Sequence, residues 1–187
     1  MAITALDPVT ALIVIDLQKG VVAMPSAHRA AEVVARAADL ASAFRRHGLP
    51  VVLVNVTGGA PGRAEQSRST AGRPADWAEL VPELEAQPSD HRVTKRTWGA
   101  FTNTGLREYL EKLGVTQVVI VGIATSAGVE STARFAHELG FNVTFAVDAM
   151  TDASLDAHTN SITRIFPRLG ETGTTGEIIK RLERTHS

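Results

Sequence analysis

The sequence predicts an α/β protein, a three-layer α/β/α sandwich around a mainly parallel, Rossmann-like sheet. Short apolar runs rich in valine and isoleucine recur along the chain, and segments with the apolar period of a helix lie between them. Glycine or proline stands at the ends of several of these helical segments. This alternation favours parallel strands, joined by right-handed crossovers that place helices on both faces of the sheet.

Four runs have the character of strands that are covered on both faces. They are short, rich in β-branched residues, and do not alternate between apolar and polar side chains. These strands are predicted at residues 11–15, 51–54, 118–123 and 143–147. The segment from His91 to Thr94 is a weaker strand candidate, and we expect it nearer an edge of the sheet.

The helices between the strands have recognisable ends. The first is predicted from Ala30 to His47, because Gly48 suits the position after a helix and Pro50 cannot continue one. Its apolar stripe consists of Val34, Ala38, Ala41 and Phe44. Two more stripes end at Gly114 and at Gly140. They consist of Leu106, Leu110 and Leu113, and of Val129, Thr132, Ala133, Ala136 and Leu139.

The C-terminal part of the chain carries a clear helix start. Thr174 and Glu177 have capping-box spacing, in which each side chain bonds the backbone N–H of the other residue. The apolar residues that follow are Ile178, Ile179 and Leu182. By contrast, the stretch from Gly58 to Asp76 is rich in Gly, Ala, Ser and Arg and shows no such pattern. A loop of that length in a compact domain is usually functional or mobile.

Composition limits the functions that this chain can have. With 187 residues, 44% of them hydrophobic, residues 1–187 are predicted to form a single well-filled domain. The 19 basic and 20 acidic residues are scattered, which argues against a nucleic-acid partner. No apolar run reaches the ~20 residues that span a bilayer, and the first residues do not form a signal peptide. We therefore expect a cytoplasmic protein with no membrane partner. The absence of cysteine excludes disulfides, thiolate metal sites and a thiol nucleophile.

Three residues stand where ligands bind in open α/β sheets, beyond the carboxyl ends of the strands. Asp16 ends the first predicted strand, Lys95 ends the weaker one, and Gly128 lies in the turn after the strand at 118–123. A carboxylate buried at a strand end needs a partner such as an ammonium group. Taken singly, however, Asp16 also fits a cap for the next segment, and Lys95 fits a solvated loop charge.

The motifs around these residues carry a family resemblance. Asp16 in IVIDLQ, Lys95 in VTKRTWGAF and the turn GIATSAGVESTA match, in order and spacing, the isochorismatase-like hydrolases, also called the cysteine hydrolase superfamily. The resemblance runs from Ala11 to about Leu182 and includes FNVTFAVDAMTD and ETGTTGEII. Most members of this family carry an Asp-Lys-Cys triad and hydrolyse amides such as nicotinamide or N-carbamoyl compounds. Here the resemblance implies catalytic roles for Asp16 and Lys95, and Gly128 occupies the position of the thiol.

This chain resembles the true isochorismatases, which also have glycine where most family members have the cysteine of the triad. They cleave the vinyl ether of isochorismate to pyruvate and a dihydroxy-cyclohexadiene carboxylate, without a covalent intermediate. An enol ether opens when its methylene carbon is protonated, which requires a general acid rather than a nucleophile. The resemblance thus implies that Asp16 is the acid, kept protonated near neutrality by apolar neighbours such as Ile15 and Phe101. Lys95 is assigned to the ether oxygen or a carboxylate of the substrate, and Gly128 leaves room for a ring.

The resemblance also has implications for the backbone, for cofactors and for assembly. It implies a cis peptide bond between Ile123 and Ala124, which turns the N–H groups of Ala124 and Gly128 toward the ligand. Nicotinamidases of the family place an Asp-x-His-x-x-His metal site after the second strand, and residues 55–60 contain no such ligands. No metal or other cofactor is therefore expected. Because relatives commonly form dimers or tetramers, a homodimer or homotetramer is expected as well.

Further candidates for the substrate site depart from the family pattern or lie in loops. Established isochorismatases carry a tyrosine where this chain has Ala124, a difference that bears on the identity of the substrate. Trp98 and Phe101 follow Lys95 and either wall a pocket or anchor the core. The long loop supplies Gln66 and guanidinium groups that suit a carboxylate, and it equally fits a solvated, mobile loop. The arginines of this loop are Arg63, Arg68 and Arg73.

Other polar residues are predicted to be structural. Asp148 and Asp152 follow the last predicted strand and are interpreted as caps of the helix that contains His158. Gln18 is expected to order its loop rather than to contact substrate. His137 and His158 fall inside predicted helices, and the scatter of the six histidines argues against a metal site.

Other classes of function stay open or are disfavoured. A catalytically silent family member would bind a metabolite or serve as an oligomeric scaffold, and would be under no chemical pressure to keep Asp16 and Lys95 facing each other in a closed pocket. A nucleotide-binding Rossmann protein is disfavoured because the first turn has one glycine, Gly20, instead of G-x-G-x-x-G. A haloacid-dehalogenase-like phosphatase requires an aspartate where Gln18 stands. Amide hydrolysis by direct attack of water is expected to be slow without a nucleophile.

Overall fold

A computed structural model of the chain, which describes residues 3–65 and 72–186, contains one six-stranded parallel sheet. The strand order is β3-β2-β1-β4-β5-β6, so the direction of winding reverses between β1 and β4. The strands are β1 (Thr10–Ile15), β2 (Val51–Val56), β3 (His91–Lys95), β4 (Gln117–Ile123), β5 (Asn142–Thr151) and β6 (Glu171–Gly173). This is the doubly wound α/β arrangement, in which ligands bind beside the strand-order reversal, beyond the carboxyl ends of the strands.

Helices cover both faces of this sheet, which confirms the predicted three-layer sandwich. They are α1 (Lys19–Val22), α2 (Ala30–Arg46), α3 (Leu106–Lys112), α4 (Glu130–Glu138), α5 (Leu155–Asn160) and α6 (Thr175–Thr185). Alternate residues of β1 point to opposite layers: Leu12 and Val14 pack in the layer of α2 and α6, while Ile13 and Ile15 pack in the layer of α3 and α4. All six residues of β1 are buried, as the non-alternating apolar run predicts.

The observed elements differ from the predicted ones mainly at their ends. Strand β2 extends two residues beyond the predicted strand, and β5 extends to Thr151, because pairing with β4 continues after an irregularity opposite Gly122. The short strand β6 was not predicted, since three residues carry too little pattern to be recognised. The weak candidate at 91–94 is β3, at an edge of the sheet, as expected. Among the described residues of the 58–76 loop, none lies in a helix or strand.

Helix ends follow the predicted signals closely. The helix predicted from Ala30 to His47 ends one residue earlier, with His47 as its C-cap, and α6 begins with the predicted capping box of Thr174 and Glu177. Before α4, residues Thr125–Val129 form a wider π-helical turn. No helix in the described part of the chain is both long and apolar enough to cross a membrane.

Candidate active site

The site begins with an unusual backbone conformation at the end of β1. Asp16 has a φ of +52°, in the left-handed region that few residues other than glycine adopt, although aspartate tolerates it better than most. Its N–H donates to the carbonyl of Val54 at 3.0 Å, and its carbonyl accepts from the N–H of Gln18 at 2.8 Å. The strand therefore ends abruptly at Asp16, which places its carboxyl group at the edge where ligands bind.

Strand β4 approaches the end of β1 unusually closely. Gly122 lies opposite Ile15 and has a φ of +120°. A Cβ atom at Gly122 would overlap the carbonyl oxygen of Ile15, so the approach requires glycine. The consequence is that the turn after β4 lies beside Asp16.

Lys95 reaches this point from the end of β3, across β2. Its Nζ lies 2.7 Å from Asp16 Oδ2, 2.9 Å from the carbonyl oxygen of Trp98 and 3.3 Å from that of Thr97. An ammonium group has three N–H donors, so these three acceptors use all of them. The side chains of Lys95 and Asp16 are 1% and 8% exposed, so the pair is buried.

Gly128 is the third residue of the site, beside Asp16 and Lys95. A Cβ atom at this position would lie 3.2 Å from Asp16 Oδ2, 3.5 Å from Lys95 Nζ and 2.8 Å from Cγ2 of Ile15. The structure therefore brings together the three residues that the sequence assigns to catalysis. It also shows that the backbone of Gly128 faces the ion pair directly, with no side chain between.

The Asp16 carboxyl group has two different oxygen atoms. Oδ2 accepts from Lys95, whereas Oδ1 is buried and has no hydrogen-bond partner among the described residues. Burial raises the pKa of Asp16 to about 6, against the opposing effect of the Lys95 charge and hydrogen bond. A buried polar atom without a partner is uncommon in native structures and needs an explanation. A group with a pKa near neutrality and one free oxygen is suited to proton transfer.

The turn after β4 is held by side chains from two neighbouring elements. The peptide bond between Ile123 and Ala124 is cis, which confirms the expectation from the family resemblance. The hydroxyl oxygen of Thr125 lies 2.8 Å from Nδ1 of buried His158, and the pKa of His158 is lowered, chiefly by burial. Asp152 Oδ2 accepts from both the N–H and the hydroxyl of Ser126, each at 2.8 Å. These contacts fix the turn that contains Gly128.

Two predictions about aspartates need correction. Ser154, rather than Asp148 or Asp152, is the N-cap of α5, because its hydroxyl accepts from the backbone of that helix. Asp152 Oδ2 binds the turn after β4, while its Oδ1 accepts from the N–H of Ser154, the N-cap residue of α5. Asp148 accepts from the N–H and hydroxyl of Thr175, so it caps α6, which is remote in sequence. Sequence proximity was misleading because β5 is longer than predicted, so Asp148 lies within the strand rather than before α5.

The prediction that Gln18 orders its loop is confirmed, and His137 and His158 lie in helices as predicted. The amide oxygen of Gln18 accepts from the N–H of Val56, and its amide nitrogen donates to the carbonyls of Val56 and Trp77, so Gln18 orders the loop. His137 lies in α4, near the carbonyl of Leu169, and His158 lies in α5. Within residues 3–65 and 72–186, no group of three or more His, Cys, Asp or Glu side chains is placed to hold a metal ion.

The candidate substrate-binding residues have varied positions. Ala124 lies half-buried in the site turn itself. Trp98 contributes its carbonyl to Lys95, but its side chain is 65% exposed, so it is not a core anchor. Phe101 stacks near Phe141 and lines a groove of about 330 Å³ that does not include Asp16, Lys95 or Gly128.

The loop candidates divide into described and undescribed residues. Arg73 lies with its guanidinium carbon 3.8 Å above the ring of Trp77, and its Nη1 is buried without a hydrogen-bond partner among the described residues. The backbone carbonyl of Trp77 accepts from the N–H of Gly20, four residues after Asp16, so Trp77, on which Arg73 stacks, is bonded to the segment that follows the site aspartate. Arg63 is exposed. Gln66 and Arg68 lie outside the described residues.

Sequence reasoning missed several residues that build the site. Thr132 was interpreted only as part of the apolar stripe of α4, yet its buried hydroxyl donates to the carbonyl of Gly128 and accepts from the N–H of Ala100. Thr125 and Ser126 had a usable signal, because adjacent hydroxyl residues in a turn commonly bind side chains or backbone nearby. Their partners, His158 and Asp152, are 26 or more residues away, which sequence alone does not reveal.

Fold and site together define a doubly wound α/β protein with a buried Asp–Lys pair beside a glycine turn. Residues 10–177 match the family model of the isochorismatase domain, so the chain belongs to the isochorismatase family. YwoC of Bacillus subtilis (strain 168), described only as an isochorismatase family protein, is 42% identical over 181 residues, which cover 93% of this chain and 94% of that protein. The structure of an isochorismatase family protein from Burkholderia thailandensis is 40% identical, covers 97% of this chain and all of that chain, and has a TM-score of 0.93.

The relatives also include an amide hydrolase. The ureidoacrylate amidohydrolase RutB of Methylobacterium radiotolerans is 32% identical over 193 aligned positions, covering 86% of this chain and 72% of that protein. The chain is therefore an isochorismatase-family hydrolase. The sequence contains no cysteine.

Proposed function

We propose that this hydrolase cleaves the vinyl ether of a small carboxylated substrate, with isochorismate as the substrate to test, by general acid catalysis and without a covalent intermediate. One observation carries the proposal. Asp16 has a pKa of about 6, one oxygen held by Lys95, and a second buried oxygen, Oδ1, that has no partner among the described residues. Such a group can deliver a proton near neutral pH.

The reaction would use that proton as follows. Asp16 transfers it from Oδ1 to the methylene carbon of the enol ether, and the C=C bond electrons form the new C–H bond. The resulting oxocarbenium ion is captured by water, and the proton that this water loses restores the acid form of Asp16. The hemiketal then collapses: its hydroxyl proton passes to the ether oxygen by way of water, the C–O bond breaks, and pyruvate and the ring alcohol are released. No sulfur or metal takes part in any of these steps.

The contacts of Lys95 change the role that the family resemblance suggested. All three of its N–H donors are engaged, so it has none left for a substrate ether oxygen or carboxylate. We propose that Lys95 instead holds Oδ2 of Asp16 and stabilises the carboxylate that forms when the proton leaves. Gly128 does not leave open space for a ring, because a Cβ there would lie 2.8 Å from Cγ2 of Ile15; its backbone instead packs closely against the pair.

The substrate carboxylate requires a separate cation, and Arg73 is our candidate. Its guanidinium is held over Trp77, and its buried Nη1 has no described partner. A guanidinium fork suits a carboxylate, and stacking on an aromatic ring limits the side-chain freedom that binding would otherwise remove. Ala124 is proposed to contact the ring through the turn backbone. Roles for Trp98, Phe101 and Gln66 in binding stay predictions.

Amide hydrolysis is the second candidate, and the family relationship with RutB favours it. In that reaction the ionised Asp16 would accept a proton from water at Oδ1, acting as a general base. The two candidates differ in the sign of their pH dependence. An acid works only when protonated, so ether cleavage falls above pH 6, whereas a base works only when ionised, so amide hydrolysis rises through pH 6.

The decisive experiment measures pyruvate release from isochorismate, and ammonia release from a panel of small amides, between pH 5 and 8. Wild type is compared with Asp16→Ala and Lys95→Ala, and with Lys19→Ala as a matched control at an exposed lysine. We expect pyruvate release to decrease about tenfold per pH unit above 6 and to disappear in Asp16→Ala. Equal pyruvate release by wild type and Asp16→Ala would refute the proposal. Binding of isochorismate with no turnover of either substrate class would indicate the silent metabolite-binding protein.

The expected homodimer or homotetramer is also a proposal, and exposed aromatic side chains support it. Trp98 and Phe135 are 65% and 44% exposed, and Phe135 contacts Gly99, next to Trp98. Large apolar side chains grouped at a surface are typical of association sites. Light scattering should give at least twice the mass of the chain for wild type and a lower mass for Trp98→Ser/Phe135→Ser. A wild-type monomer would contradict the proposal.

A further inference from the structure

The segment after β3, residues 97–100, contacts the side chain of Lys95. Lys95 Nζ donates to the carbonyls of Thr97 and Trp98, so the position of the ammonium depends on where this segment lies. Trp98 is exposed and has no side-chain anchor in the core. Some other contact must therefore fix the segment.

That contact comes from helix α4. The hydroxyl of Thr132, which is fully buried, accepts from the N–H of Ala100 at 3.1 Å and donates to the carbonyl of Gly128 at 2.6 Å. A hydroxyl has one proton, and because it goes to Gly128, the oxygen is free to accept from Ala100. One side chain thus ties the segment that holds Lys95 to the turn that faces Asp16.

We propose that Thr132 is a positioning residue for the Asp16–Lys95 pair: its hydroxyl fixes the 97–100 segment, whose carbonyls in turn hold the Lys95 ammonium against Asp16. A second contact supports the same arrangement, since Gly99 packs against the ring of Phe135, one turn further along α4. Thr132 acts through Lys95 and the segment, since its hydroxyl bonds the backbones of Ala100 and Gly128 rather than the Asp16 carboxyl group. This inference extends the proposed function. Its kinetic test depends on that function, whereas its titration test needs no substrate.

The first test needs no substrate. The carboxyl carbon of Asp16, assigned by comparison with Asp16→Asn, is titrated by NMR in wild type, Thr132→Val and Thr132→Ser. Lys95 is the charged group that acts on Asp16, and it lowers the carboxyl pKa. Valine removes the hydroxyl at almost constant volume and loosens Lys95, so the midpoint should rise by about one pH unit. Serine keeps the hydroxyl and should restore the wild-type midpoint.

A matched control separates positioning from general loss of packing. Thr144 is also fully buried, and its hydroxyl accepts from Gln117, but it lies toward the opposite end of the strands. Thr144→Val should destabilise the fold and leave the Asp16 midpoint unchanged. If Thr132→Val does not fold, Thr132→Ala removes the same hydroxyl without a branched side chain. An Asp16 midpoint that is the same in wild type and in the folded hydroxyl-free variant would overturn the proposal.

The second test measures turnover of the proposed substrate. Misplacement of the pair should lower kcat by about 10- to 100-fold in Thr132→Val, with a smaller change in KM, and Thr132→Ser should recover most of the rate. A change in KM alone would contradict a positioning role. If isochorismate is not turned over by wild type, the proposed function fails, whereas the NMR titration still decides the role of Thr132.

Discussion

Two buried ion pairs in this protein are bonded in different ways. Asp90 lies against Arg45, with Nε 3.0 Å from Oδ1 and Nη2 2.8 Å from Oδ2, and the N–H of Gln87 also donates to Oδ2. Both oxygens of Asp90 are therefore occupied. In the pair of Asp16 and Lys95, only one oxygen of Asp16 has a partner among the described residues, although the Asp16 side chain is also almost fully buried.

The difference separates a structural ion pair from one that is available for chemistry. A bidentate guanidinium bonds both oxygens of a carboxylate, which connects α2 to the segment before β3 but leaves no oxygen available to react. An ammonium group binds as a point charge and leaves the second oxygen free. The free oxygen is costly in a buried site, and the structure tolerates that cost at the carboxyl ends of the strands, where a ligand would bind.

Neutralising each aspartate should give opposite results, and this is the largest effect we expect. Asp16→Asn removes the proposed proton donor, so kcat/KM should fall by about 10²- to 10⁴-fold. Asp90→Asn should leave kcat/KM unchanged but lower the free energy of unfolding by about 2–3 kcal/mol, less than for a fully buried pair because Arg45 is partly exposed. Steady-state kinetics and urea denaturation check both variants. Loss of turnover in Asp90→Asn alone would reverse the assignment.

The pH dependence of the free energy of unfolding should reveal the raised pKa of Asp16. Because the folded pKa of Asp16 is raised to about 6 from its ordinary value of 3.8, the folded state holds this proton more tightly than the unfolded state. The associated stability is fully present below pH 3.8, is lost as pH rises through about 6, and amounts to about 3 kcal/mol. Urea denaturation of wild type and Asp16→Asn at pH 4, 5, 6 and 7 should therefore give a difference that changes across this window. A constant difference would mean that Asp16 is not perturbed.

A substitution at Gly128, beside the pair of Asp16 and Lys95, should have a smaller effect on stability. A Cβ at position 128 would lie 2.8 Å from Cγ2 of Ile15, a rigid branch of a buried strand residue, so Gly128→Ala should lower the free energy of unfolding by about 1–3 kcal/mol. Gly176 in α6 is the matched control, since a Cβ there meets no atom within 4 Å. Gly176→Ala should raise stability by about 0.5 kcal/mol. Equal destabilisation by both changes would argue against tight packing at Gly128.

An exposed ion pair on the surface should give the smallest effect on stability and turnover. Arg107 and Glu111 lie one turn apart on α3, 2.8 Å from each other, and both are about half exposed. Solvent and salt screen such a pair, so Arg107→Gln should leave the thermal unfolding midpoint and turnover unchanged. A measurable loss would show that α3 depends on surface charge more than its buried Leu106 and Leu110 suggest.

The sequence was sufficient for the fold because the relevant signals are local. The buried residues of β1 appear as a continuous apolar run, and the start of α6 appears as a capping box that spans four residues. Asp16, Lys95 and Gly128 were also accessible, because each stands at a strand end and parallel strands bring such ends to one edge. The short β6 lacked any such signal.

What the sequence determined by itself was the set of participants: an α/β sheet, an aspartate and a lysine at strand ends, and glycine in place of sulfur. Only the tertiary structure decided how they are bonded. It occupied every donor of Lys95 and left Asp16 Oδ1 without a partner among the described residues. It also paired Asp148 with α6 and Asp152 with the turn after β4, and made Thr132 a link between two loops. The physical reason is that hydrogen bonds depend on distances of a few tenths of an ångström between atoms far apart in the chain. Apolar periodicity, by contrast, depends on residues that are close together in the sequence.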